Sequence, residues 1–66
     1  MKREEFTEKL RARLAPCEIA EVSIAGGRLL LATRYNGHAR YANVKFDQLN
    51  DLLLADVVNN VKESFE

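Results

Sequence analysis

The sequence predicts an α+β fold, α-β-β-β-α, with a three-stranded antiparallel meander and both helices on one face of it. Three observations lead there. Phe6, Leu10 and Leu14 recur every four residues among charges, Gly26-Gly27 and Asn36-Gly37 each separate strand-forming runs, and a Leu- and Val-rich segment follows an acidic start at Asp47. The first is the stripe of an amphipathic helix, the second the mark of two-residue hairpin loops, the third a helix entry.

The first helix covers Arg3 to Leu14. Pro16 ends it, because the residue before a proline is pushed out of helical geometry. The strands follow at 19–25, 28–35 and 38–46. With Gly26-Gly27 as the first loop, Ile24 lies opposite Leu29 and Val22 opposite Leu31. With Asn36-Gly37 as the second, Leu31 lies opposite Ala42 and Leu29 opposite Val44. All six residues then share one face, and a slip of one residue would put the whole set in water. On the other face Leu30, Ala32, Ala39 and Tyr41 cluster mid-sheet, a patch of ordinary surface or of contact.

The last helix is expected to start at an N-cap Asp47, with Asn50 and Asp51 in its first turn, and to run toward Ser64. Its pattern points two ways. Leu49, Leu52 and Leu53 lie to one side, whereas Leu54, Val57, Val58, Val61 and Phe65 centre a quarter turn or more away. Either the helix breaks near Ala55-Asp56, or it is apolar over more than one face and needs a second subunit or another protein as cover.

The chain has 66 residues and equal numbers of acidic and basic groups. That length makes one domain, 1–66, near the lower limit for a single hydrophobic core without metal, disulfide or partner. The zero net charge is a cancellation. Residues 1–46 carry nine basic and five acidic groups and 47–66 one basic and five acidic, giving plus four and minus four. Cys17 has no second cysteine to pair with, and no apolar leader or membrane-length run is present, so a cytoplasmic setting away from the membrane is expected.

Little in the chain carries chemistry. Cys17 and His38 are the only soft or imidazole ligands, short of the four that structural zinc requires, so no metal and no cofactor are expected. As a nucleophilic pair they lack a third residue to orient the ring, and a lone cysteine is ordinarily a small buried hydrophobe. Gly26-Gly27 precedes a strand rather than a helix and lacks the Lys-Ser/Thr ending of a phosphate loop. Asp47 and Asp51 can share a helix face, but helix-start acids account for them. The sequence therefore predicts no enzyme.

The element order is similar to that of double-stranded RNA-binding domains. That family has a longer first strand loop with a Gly-Pro-x-His type element, and lysines at the start of the second helix hold phosphates. Here the loop is Ala25-Gly26-Gly27-Arg28 and the helix opens with Asp47, Gln48 and Asp51, acids that repel phosphate. The resemblance covers element order alone and implies no RNA-binding function.

Two functional expectations follow. The first is a protein-interaction module, an adaptor, inhibitor or regulator of a larger protein, that self-associates as a homodimer. Its contact residues would be Leu30, Arg34, Tyr41, Leu54, Val58 and Phe65. The alternative is nucleic-acid binding through Arg28, Arg34, Tyr35, Arg40, Tyr41 and Lys45, a basic and aromatic sheet surface suited to stacking and phosphate contact.

Overall fold

The computed structural model describes residues 1–65. Helix α1 spans Arg3–Leu14, strands β1, β2 and β3 span Glu18–Ala25, Arg28–Tyr35 and His38–Lys45, and helix α2 spans Asp51–Ser64. The sheet is antiparallel in the order β1-β2-β3.

Both loops have positive φ at their two central residues, 58° and 71° at Gly26 and Gly27 and 52° and 78° at Asn36 and Gly37. That is the left-handed signature of a type I′ turn, whose twist matches the strands it joins. The pairs Ile24–Leu29, Val22–Leu31, Leu31–Ala42 and Leu29–Val44 all form as the loops require. Leu29 and Leu31 are buried at the centre of the core together with Phe6, Leu10 and Leu14 of α1 and five residues of α2. Both helices therefore pack on this face, and among the described residues no layer lies over the other face.

One irregularity extends the apolar face. Between Ile19 and Glu21 the β1–β2 register shifts by one residue, leaving Ala20 as a bulge. An extra residue reverses which side the chain before it presents. Ile19 thereby packs against the core beside Val22 and Ile24, and Glu18 falls opposite Arg34 on the uncovered face.

Helix α2 departs from the expected one in its start and in the spread of its apolar face, and decides between the two alternatives for its middle. Its N-cap is Asn50 rather than Asp47, and the Asn50 side chain accepts a hydrogen bond of 2.9 Å from the Leu53 amide. The Phe46 amide donates to the Gly27 carbonyl at 2.9 Å, which keeps the chain alongside β2 past the end of β3, and residues 47–49 then lead to Asn50 without a helical turn. The helix is also continuous through Ala55 and Asp56. Finally, it is not apolar on two sides. Leu53, Leu54, Val57, Val58 and Val61 fill an arc of about 140° at the 100° step of a helix and are all buried. Leu49 lies before the helix and packs on the core, while Leu52 projects outward.

The helix ends follow their charges. Glu4 and Glu5 open α1, Arg11 and Arg13 close it, and Lys62 sits in the last turn of α2, each sign favoured by the helix dipole. Lys9 of α1 reaches Glu5 at 3.5 Å and Asp51 of α2 at 3.8 Å. These are exposed pairs of small worth.

A test of the turns separates the two glycines. A Cβ on Gly26 would meet nothing, whereas one on Gly27 would lie 3.3 Å from the Phe46 carbonyl oxygen. Gly26→Ala should cost about 1 kcal/mol for its left-handed backbone, and Gly27→Ala about twice that because backbone must also shift. Urea denaturation of the two variants measures the difference.

Candidate interaction surface

The uncovered face is built by the residues of each strand that point away from the helices. On β2 these are Arg28, Leu30, Ala32 and Arg34; their partners on β3 are Lys45, Asn43, Tyr41 and Ala39. Ser23 lies opposite Leu30, and Glu21 opposite Ala32, on β1. Tyr41 is 82% exposed and Leu30 49%, and with Ala32, Asn43, Glu21 and Ser23 they surround a shallow depression of about 300 Å³.

Charge on this face is uneven. Arg34 faces Glu18, so that cross-strand pair is of opposite sign. At the other end Arg28 faces Lys45, two like charges whose juxtaposition is unfavourable. Neither makes an ion pair among the described residues, although Asp47 borders the same end. The face thus presents an apolar centre with an uncompensated cationic end.

The expected contact residues separate. Leu30, Arg34 and Tyr41 share the uncovered face. Leu54 is 0% and Val58 7% exposed within the core of this same chain, which corrects their placement on a docking surface. The single broad arc of α2 consumes the apolar surface that had seemed surplus. Phe65 lies half-buried beyond α2, its ring edge against Tyr35 at 5.9 Å between centroids, with the Arg40 guanidinium 5.3 Å above it.

The nucleic-acid set separates as well. Arg28, Arg34, Tyr41 and Lys45 lie on the uncovered face, but Tyr35 and Arg40 have the opposite parity on their strands and turn toward α2. Six residues expected on one surface are divided four and two. Cys17 packs against the core at the entry to β1, and His38 is exposed at the start of β3, opposite Tyr35. Strand β2 lies between their strands, a separation of about 10 Å at the usual strand spacing.

Two arginines act at the sheet edges, Arg3, which sequence patterning does not single out, and Arg40, which it assigns to a different surface. In each two-residue loop the closing pair is hydrogen-bonded, so the residues next to it, Ile24 on β1 and Ala39 on β3, turn their backbone groups outward. Arg3 of α1 donates to the Ile24 carbonyl at 3.3 Å. Arg40 donates to the Ala39 carbonyl at 2.9 Å and, through Nε, to the Ser64 carbonyl at 2.9 Å. Each free edge therefore has an outward acceptor occupied, and the end of α2 is tied across the β3 edge. Occupied edge groups oppose pairing with another strand.

Arg40 and Phe65 should act as a unit. Arg40→Ala and Phe65→Ala are expected to be non-additive, with a coupling of about 0.5–1 kcal/mol in a double-mutant cycle read by thermal or urea unfolding.

No helix among the described residues is long and apolar enough to cross a membrane. No family model, curated protein or solved structure matches the chain.

Proposed function

We propose that this chain is a non-enzymatic protein-interaction module, an adaptor, inhibitor or regulator of a larger protein, whose contact surface is the uncovered sheet face. The observation that carries this reading is the outward-facing pair Tyr41 and Leu30 around a shallow depression, ringed by charges, with none of the described residues above it. A Tyr anchored among small apolar residues is the composition that concentrates binding energy at protein contacts. Self-association belongs to this reading, since a domain of this size gains from burying an exposed apolar centre. A reducing cytoplasm suits its single half-buried thiol, Cys17.

A Leu30→Glu, Tyr41→Glu protein tests the surface directly. It should unfold within about 1 kcal/mol of wild type, because the substituted side chains are largely exposed. Immobilised wild type should retain from native lysate a protein that the double variant loses; an identical set captured by both would remove the reading.

A second reading is favoured by one arrangement, the sharing of this face by Arg28, Arg34, Lys45 and Tyr41. Phosphates and stacked bases suit such a set, but Glu18 and Glu21 lie on the same face and oppose them. Anisotropy titrations with single- and double-stranded oligonucleotides at low salt should show no binding. Affinity that falls steeply as salt rises would instead establish the nucleic-acid reading.

A further inference from the structure

We infer that the occupant of the uncovered sheet face is the outward side of α2 of a second copy of this chain, with Leu52 seated in the depression between Leu30 and Tyr41. The inference rests on the uncovered face being the contact surface and names what covers it.

Shape and exposure support this occupant. Three strands of eight residues present a face about 15 Å wide and about 26 Å long. That is the footprint of one helix, about 10–12 Å across, and the 14 residues of α2 are about 21 Å long. Leu52 is 78% exposed, projecting from the first turn of α2 away from the buried arc. It is the one large aliphatic side chain that α2 leaves in water.

Charge supports the same partner at the Arg28 and Lys45 end of the face, which lies away from Glu18; Glu21 borders the depression on its β1 side. Leu52 is flanked by Asp51, next in the chain, and by Asp56, one helical turn on, both exposed. Leu30 adjoins the cationic pair Arg28 and Lys45, while Tyr41 stands one pair further on, beside Ala32. Docking the leucine in the depression brings Asp56, about 40° round the helix from it, toward the cationic end, whereas Asp51 lies about 100° round and follows only by leaving Lys9. Asp51 is shared with Lys9 at 3.8 Å, an exposed contact loose enough to yield.

The other ways of joining two copies are opposed. Strand addition meets an arginine at each edge, Arg3 on the Ile24 carbonyl and Arg40 on the Ala39 carbonyl. A twofold pairing of sheet face on sheet face lays β2 over β2 in either orientation. Arg28 and Arg34 then meet the arginines of the other copy, which is repulsive.

The geometry also sets how the assembly grows. The uncovered face and the outward side of α2 lie on opposite sides of a two-layer domain. A second copy that contributes α2 keeps its own sheet face free for a third, so the contact is heterologous and does not close at two. One helix on one narrow sheet buries little area, so association is weak and concentration-dependent.

Sedimentation velocity tests this with two variants and their mixture. Wild type should form species beyond the dimer as concentration rises, with the association constant falling about tenfold between ~50 and ~500 mM salt. Leu52→Lys and Tyr41→Glu should each remain monomeric alone. Mixed in equal amounts they should form a one-to-one complex and nothing larger, because each keeps the half that the other lacks. If Tyr41→Glu melts early, Arg28→Glu takes its place on the sheet face. A Leu52→Lys protein that associates as wild type does, or a mixture that stays monomeric, would overturn the inference. Wild type that is monomeric up to millimolar concentration, while Leu30→Glu, Tyr41→Glu still loses its lysate partner, overturns the occupant and leaves the contact surface standing.

Discussion

Everything in this molecule depends on register, and register depends on two loops of two residues. Gly26-Gly27 and Asn36-Gly37 hold left-handed backbone that reverses the chain with the twist of the strands. Once both reversals are set, Leu29 and Leu31 of the central strand face the helices, and Leu30 and Ala32 face away. A slip of one residue at either loop would exchange those sets. The core and the uncovered surface are therefore two consequences of one constraint.

The two sides of the sheet have opposite accounts. On the helix side the stripe of α1 and the arc of α2 meet Leu29 and Leu31, and apolar burial is nearly complete. On the other side a tyrosine and a leucine stand in water, the leucine beside two cations. Nothing in the core needs Arg28 and Lys45 to be neighbours. Their placement costs the isolated chain a little, with Asp47 the acid that borders the same end. The free edges differ again: Arg3 and Arg40 occupy outward carbonyls there, so the broad face rather than the edges is left open for contact.

Much of the fold was legible because its signals are local. A spacing of four marks α1, a proline ends it, and paired turn residues bracket strands whose alternation agrees across both hairpins. The site was only partly legible. Leu30, Arg34 and Tyr41 could be placed together because strand parity follows from the same loops. Tyr35 and Arg40 have the other parity, which assigning them to one surface by composition overlooked. Leu54 and Val58 read as a second apolar face only when Leu49, which lies before α2, and Leu52, which points outward from it, are weighed with the buried residues. The pattern of 53, 54, 57, 58 and 61 is a single wide face once Leu49 is excluded and Leu52 is seen as an outlier.

The sequence by itself determined the element order, both turns and the register, since each rests on backbone preferences and side-chain alternation within a few residues. Only the tertiary structure decided where α2 begins, since Asp47 and Asn50 are both able to cap a helix and it is the Asn50 side chain that accepts from the Leu53 amide, after the Phe46 amide is held by the distant Gly27 carbonyl. It also decided the bulge at Ala20, the Arg40 clamp between β3 and the end of α2, and the isolation of Leu52 on the surface. Each of those depends on contacts between segments far apart in the chain, to which local periodicity is blind.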